Sequence, residues 1–170
     1  VYDDPRGGKL RAEIYKRMIY HFQFQNQKIL FPIGDRVKYS TNVFSNANKE
    51  INFINIANIF LPQTIEASFE HHGTDIVDGI KDDENNWNIK GHKSRVINID
   101  AKILKLFAKL YDDEGTPCME ARLPALHSIE LISVLEKFAL YPKRLSDIKS
   151  EYFSTEMWHE TNAQSDGTIE

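Results

Sequence analysis

The stretch on which the predicted fold depends is KILFPIGDRVKYSTNVF, residues 28–44. It contains two apolar and β-branched runs, 28–33 and 37–44, which are separated by Gly34 and Asp35. Two such runs on either side of a turn predict a β-hairpin. Pro32 lacks an amide N–H, so we expect the first strand to be an edge strand or an interrupted one.

The segments next to this hairpin predict both helices and strands. Residues 9–24 carry apolar side chains three to four positions apart, which predicts an amphipathic helix. Residues 51–60 are ambiguous between helix and strand, and residues 63–73 predict a short helix closed by Gly73. Residues 75–91 are polar and acidic, and they predict a long solvated loop.

The second half of the chain predicts one more strand and two longer helices. Residues 95–99 are β-branched and predict a strand. Asp100 stands where an N-cap belongs for a helix over 101–113, and Ser128 takes the same place in the predicted helix 123–142.

These elements together predict a mixed α and β fold, between α/β and α+β. Residues 152–159 are rich in residues typical of strands. A Gly-Thr-Pro break at 115–117 marks a seam. We therefore expect two domains, one over residues 1–112 that includes the long loop and one over residues 113–170 that is mainly helical.

The composition is that of a folded, water-soluble protein of 170 residues, with 41% hydrophobic and 27% charged residues. Its net charge of −4 gives no general attraction to nucleic acid, so such contact is expected to be local. Cys118 is the only cysteine, which excludes an internal disulfide and fits a cytoplasmic location. The longest apolar runs are too short to cross a membrane, so no membrane partner is expected. Because the chain starts at Val1 in a turn, we expect it to be a piece of a longer protein.

Histidines and acids between residues 71 and 92 raise the question of a metal site. His71, His72 and His92 enclose several aspartates. Adjacent histidines point in different directions, and no pair has the spacing of a zinc motif, so we predict surface and capping roles and no metal. The chain also lacks the glycine loops that hold nucleotides and the serine elbow of hydrolases.

Local groups of basic residues are candidates for contact with a DNA backbone. Each group lies beside a loop, where phosphate contacts are commonly made. The alternative is an ordinary solvated surface. The candidates are Arg36, Lys38, Lys90, His92, Lys93 and Arg95.

Four motifs follow one another along residues 2–44. They are Tyr-Asp-Asp-Pro at 2–5, Leu-Arg-x-x-x-Tyr at 10–15, His-Phe-Gln-Phe-Gln-Asn at 21–26 and Asn-Val-Phe at 42–44. This run resembles the segment downstream of the catalytic Asn-Pro-Pro-aromatic motif in large bacterial adenine-N6 DNA methyltransferases. Those enzymes belong to restriction-modification and phage-defence systems, including type IIG-like fused methylases. The likeness continues through 56–71, 78–92 and 154–169.

The resemblance implies a fold and a base-binding role. It implies that residues 1–112 are the C-terminal part of a class I methyltransferase-like domain, whose sheet closes with a hairpin of its last two strands. It also implies that residues 113–170 connect this domain to a target-recognition region. An aromatic residue near the end of the final strand can stack on a flipped adenine in this class, which points to Phe44 with Asn42 nearby. The alternative is that Phe44 is an inward core residue.

The resemblance also implies what this chain cannot do alone. Its sequence contains neither the cofactor-binding glycine motif nor Asn-Pro-Pro-aromatic. We therefore expect an inactive fragment of a methyltransferase that uses S-adenosylmethionine in its longer form and binds double-stranded DNA together with the rest of the same polypeptide. A non-enzymatic DNA-recognition or scaffold module, or a stand-alone hydrolase or nuclease, are the alternatives.

Overall fold

The computed structural model describes residues 1–47, 50–143, 147–148 and 160–168. It divides into two units, Val1–Leu140 and Tyr141–Glu170. The predicted boundary at residue 112 falls inside the first unit, and as a division by function it stays a prediction. The predicted strand at 152–159 lies outside the described residues.

The described residues form a mixed α and β fold, which confirms the predicted class in its general form. The helices are α1 (Gly8–Tyr15), α2 (Gln63–Glu70), α3 (Ala101–Tyr111), α4 (Glu130–Leu140) and α5 (Glu160–Ser165). The strands are β1 (Met18–Gln25), β2 (Lys38–Phe44), β3 (Asn52–Ile59) and β4 (Ile97–Asp100). None of the described helices is both long enough and apolar enough to span a bilayer.

The four strands form one sheet in the order β2-β1-β3-β4, so β2 and β4 are the edge strands. β1 runs antiparallel to β2 and parallel to β3, and β3 runs antiparallel to β4. The ambiguous run 51–60 is therefore a strand of the sheet interior, where β-branched residues are favoured.

The predicted hairpin is wrong in its first strand, and only its second strand, 37–44, corresponds to a strand of the sheet, β2. β2 pairs with β1 and not with residues 28–33. Those residues belong to a loop braced by the buried Asn26, whose Nδ2 donates to the carbonyls of Phe31 (3.0 Å) and Ile33 (2.9 Å). Its Oδ1 accepts from the N–H of Phe31 at 3.1 Å. This side chain satisfies backbone groups that a strand partner would otherwise satisfy.

The predicted helix over 9–24 is correct only in its first half. The helix ends at Tyr15, and the chain is extended again from Met18. Within β1, aromatic and polar side chains alternate, and this period of two belongs to a strand.

The main core lies between one face of the sheet and helices α1, α3 and α4. Large side chains there are almost completely buried and contribute about 1.5–3 kcal/mol each. They include Tyr15, Phe53, Ile97, Leu104 and Phe107. A smaller cluster of Phe24, Ile56 and Ile59 lies on the other face, with Ile65 of α2 packed against it.

Two predicted features of the second half are confirmed. β4 overlaps the strand predicted at 95–99 and ends one residue later, and Asp100 caps α3 by accepting from the N–H of Ile103 at 2.8 Å. The long loop 75–91 is also present, with one isolated bridge between Lys81 and Trp87.

Candidate functional site

One side of the β1–β2 hairpin is lined by polar side chains, none of them acidic. Paired residues point to the same side of a sheet, and alternate residues share a face. The register pairs His21 with Asn42, Gln23 with Ser40 and Gln25 with Lys38. We call this set of six residues the hairpin polar face, and Phe44 ends it because it follows Asn42 by two positions. The opposite side carries Phe22, Phe24 and Tyr39, which belong to the smaller core cluster.

Phe44 lies at the end of β2 and pairs with Met18 in the register. Its side chain is 49% exposed. The alternative that Phe44 is a core residue is therefore wrong for this structure. The residue therefore ends an edge strand of the sheet with about half of its surface exposed.

Asn42 is half-buried beside it on the same face. Its Nδ2 donates to the Ser40 hydroxyl oxygen at 3.0 Å. Its Oδ1 is buried and has no partner among the described residues. A buried acceptor without a donor loses free energy, so this oxygen is suited to accept from a group outside the described residues.

His21 and Asn55 extend the row of Asn42 across the sheet. His21 Nδ1 lies 2.7 Å from Asn55 Oδ1. Because that amide oxygen only accepts, Nδ1 carries the proton and Nε2 is an acceptor. Burial lowers the pKa of His21, which favours this neutral form. His21 Nε2 and Asn55 Nδ2 also lack partners among the described residues.

The ring of Tyr2 packs against His21 and against the main core. Its ring centroid lies 4.3 Å from that of His21, in an edge-to-face contact. Burial raises the pKa of Tyr2 to about 12, so its hydroxyl stays protonated at neutral pH. Its carbonyl accepts from the N–H of Leu123 at 2.9 Å, which fixes the first residues over the sheet.

Four of the six predicted DNA-backbone residues are on the surface. Arg36 and Lys38 are exposed at the end of the hairpin that is opposite to Phe44. Lys93 is exposed in the turn before β4. Lys90 is also exposed, but its Nζ lies 2.9 Å from Asp78 Oδ2, and that hydrogen bond and charge raise the pKa of Lys90.

The prediction of phosphate contact needs correction for His92 and Arg95, because neither is accessible. Arg95 is 1% exposed and donates to the carbonyls of Lys90 (2.7 Å), Ala57 (3.2 Å) and Asn58 (3.0 Å). Burial lowers the pKa of Arg95 to about 10, which leaves it charged at neutral pH. His92 is 6% exposed and accepts from the N–H of Ser94. Both side chains hold loops together.

His71, Asp75 and His92 form a cluster that has the composition of a metal site. Their ligand atoms lie within 4.8 Å of one another, beside a cavity of about 220 Å³. Asp75 Oδ1 is 3.2 Å from His71 Nε2 and 3.4 Å from His92 Nε2. Two ligands of a tetrahedral zinc ion would lie about 3.3 Å apart, so the distances alone fit.

The positions of the ring protons in His71 and His92 do not fit a bound metal ion. The backbone N–H of Gly73 donates to His71 Nδ1 at 2.9 Å, and that of Ser94 donates to His92 Nδ1 at 3.0 Å. A neutral imidazole that accepts at Nδ1 carries its proton at Nε2. Metal-bound histidines instead donate their second N–H to an oxygen. The cluster is therefore arranged as two capping histidines joined through Asp75, and the predicted capping role is seen in these contacts.

The sequence prediction missed His21, Gln23, Gln25 and Asn55. His21 and Gln23 fall inside the predicted helix 9–24 and Gln25 follows it, although the run His-Phe-Gln-Phe-Gln alternates polar and aromatic residues without exception. This alternation was the available signal for a strand with one polar face. Asn55 had no comparable signal, because its role depends on pairing between β1 and β3.

Comparison with protein-family models, with curated proteins and with solved structures found no match for this chain. Three features therefore define the candidate site. They are the exposed ring of Phe44, the unpartnered amide oxygen of Asn42 and the neutral polar face between Phe44 and Lys38. This arrangement offers stacking and hydrogen bonding to a planar polar group, with cations at one end.

Proposed function

We propose that this chain is part of an adenine-specific N6 DNA methyltransferase and contributes one side of the pocket for the target base. The proposal rests on the resemblance along residues 2–44 and on one structural observation. That observation is the half-exposed ring of Phe44 at the end of an edge strand. In the resembling enzymes, an aromatic residue at the end of the final strand stacks on the flipped adenine.

The surroundings of Phe44 suit a flipped base. Flipping costs a few kcal/mol, which stacking and hydrogen bonds to the base edge must offset. Stacking on an aromatic side chain contributes about 1–3 kcal/mol per base. Asn42 lies two residues away on the same face, and its Oδ1 is buried without a described donor, so a change of its side-chain rotamer would be needed to bring that oxygen to an exocyclic amine.

Methyl transfer needs groups that this sequence lacks. S-adenosylmethionine and the acceptors that align the adenine amine would be held by the rest of the longer polypeptide. The chain alone is then inactive, binds no cofactor and acts as one part of a DNA-binding surface. The class I sheet implied by the resemblance is proposed together with this function.

The first experiment tests stacking with the chain itself. A duplex with one unpaired adenine exposes a base at little cost, so it should bind more tightly than the matched fully paired duplex. Phe44→Ala should remove this preference, a loss of about 5-fold to 100-fold that corresponds to 1–3 kcal/mol. Fluorescence anisotropy of labelled duplexes measures both affinities.

Phe138→Ala is the matched control, because Phe138 is an exposed phenylalanine of α4 at 63% exposure. It should leave the preference unchanged. If Phe44→Ala binds both duplexes as the unchanged protein does, the ring does not stack on a base. A loss of roughly 3–5 kcal/mol in the free energy of unfolding would instead indicate a core role for Phe44.

The second experiment tests the enzyme. The longer protein that carries this chain should transfer a labelled methyl group from S-adenosylmethionine to adenine N6 in duplex DNA, and Phe44→Ala should slow this transfer. A longer protein that binds DNA without methylating it would favour the alternative of a recognition module.

A further inference from the structure

We infer that the hairpin polar face reads base edges in the major groove of double-stranded DNA, with Gln23 and Gln25 as specificity-determining residues. This inference rests on the proposed function, because it takes DNA as the partner. It adds a second contact on the same face, separate from the stacking position at Phe44.

The chemistry of the face fits base edges and phosphates. β1 and β2 contain no aspartate or glutamate, although the whole chain has 25. A solvated strand face commonly carries charges of both signs, whereas this one carries three amides, a hydroxyl, one lysine and the buried His21. A carboxylate here would repel the phosphates on either side of a groove.

The amides of Gln23 and Gln25 are available for a ligand. Both residues are partly exposed, and neither side chain forms a hydrogen bond within the described residues. A glutamine side chain presents a donor and an acceptor together, and it can pair with N6 and N7 of adenine in the major groove. Each such contact through two hydrogen bonds favours the matching base over the other bases strongly enough for a protein to select a sequence.

The geometry of the hairpin also fits this groove. A major groove of about 12 Å admits β-strands, and β2 can approach it as the free edge of the sheet, with β1 pairing with β3 behind it. Alternate residues of a strand lie about 6.6 Å apart, which is close to two base-pair steps of about 3.4 Å. Gln23 and Gln25 can therefore reach bases two steps apart on one strand.

Cations at one end of the hairpin can hold the DNA backbone. Lys38 lies on the polar face itself, and Arg36 is exposed in the loop just before it. No ion pair between described residues includes Arg36 or Lys38, so both charges are free for phosphates. β2 spans roughly 20 Å, which places Phe44 and these cations on the same duplex.

Selection from a random duplex library with the complete chain tests this inference. We expect an enriched sequence, and we expect Gln23→Ala or Gln25→Ala to weaken its binding by about 5-fold to 100-fold without changing binding to unselected DNA. Arg36→Ala should weaken all sequences equally and lower the salt dependence. Gln63→Ala, on the exposed start of α2, is the matched control and should bind as the unchanged chain.

The outcomes separate this inference from the proposed function. Binding with a clear salt dependence but with no enriched sequence, or with no effect of either glutamine variant, would overturn the inference and leave the base-stacking proposal intact. Absence of binding to any duplex at low salt would count against both. Equal binding to duplex RNA would also overturn the inference, because side chains cannot reach the major groove of A-form RNA. Thermal unfolding of each variant confirms that it is folded.

Discussion

Arg95 carries a positive charge into the protein interior, where its guanidinium donates to the carbonyls of Lys90, Ala57 and Asn58. No described acidic residue forms an ion pair with it. The planar guanidinium has five donors, which lets one side chain tie the end of β3 to the loop before β4. The charge is therefore used to satisfy backbone acceptors of irregular segments, which would otherwise be buried without partners.

Replacing Arg95 by methionine should lower the free energy of unfolding by about 2–4 kcal/mol, because each buried carbonyl left without a donor costs about 1–3 kcal/mol and some recover a water. Urea unfolding followed by circular dichroism measures this loss. Arg36→Met is the control, since an exposed substitution is expected to change stability by less than about 0.5 kcal/mol.

The same two variants should differ in the opposite way in DNA binding. Arg36→Met should weaken binding to any duplex, whereas Arg95→Met should bind normally at temperatures where it is folded. If Arg95→Met is as stable as the unchanged protein, its guanidinium does not hold the loop as described.

β1 shows which part of the fold could be predicted from the sequence. Four apolar residues from Leu10 to Phe22 are spaced as on one face of a helix, but so small a number of positions can match a helical period by chance. The strict alternation over Tyr20–Gln25 is the stronger signal, because every residue in it must obey the pattern. The same signal would have revealed the polar face, which is the main part of the candidate site.

Other elements were readable because their signals are local. Asp100 and the helix that it caps follow each other directly in sequence, and both predictions are confirmed, with α3 ending at Tyr111. The brace at Asn26 and the pairing of β1 with β3 could not be predicted, because they join segments whose proximity depends on the whole sheet. The meeting of His71 with His92 has the same cause, since 20 residues separate them in the chain.

The row of Asn42, His21 and Asn55 across three strands predicts a pH dependence of stability. Burial lowers the pKa of His21 in the folded state. In the unfolded chain its pKa is about 6.5, so below that pH the unfolded state binds a proton that the folded state does not. The contribution of His21 to the free energy of unfolding is therefore fully present above the pKa of the unfolded state. It is lost as the pH falls from about 7 towards the lower pKa of the folded state.

Substituting His21 by glutamine should reduce this dependence, because glutamine can still donate to Asn55 without titrating. Urea unfolding between pH 7.5 and pH 5 measures the slope. Burial, together with the charge of Arg95, also lowers the pKa of His127, so His127→Gln should reduce the slope too and the double variant should reduce it further. An unchanged slope in His21→Gln would show that this histidine is not held neutral in the fold.

Among the residues that the structure describes, both apolar clusters lie in the first unit. All members of both clusters lie at or before Leu135, and so do the hairpin polar face and Phe44. The first unit is large enough to bury more than about 60% of the surface of its unfolded chain, which is the range in which domains fold alone. Its sheet also carries the complete candidate site.

A chain shortened to residues 1–143 should therefore unfold in a single cooperative transition and keep the site. The expected result is the same preference for the unpaired adenine and the same loss of that preference in Phe44→Ala, because the described members of both apolar clusters all lie before residue 143. Calorimetry measures cooperativity, and anisotropy measures binding. A shortened chain that binds DNA poorly while unfolding cooperatively would place a DNA contact in the second unit. A shortened chain without a cooperative transition would show that the core of the first unit is insufficient by itself.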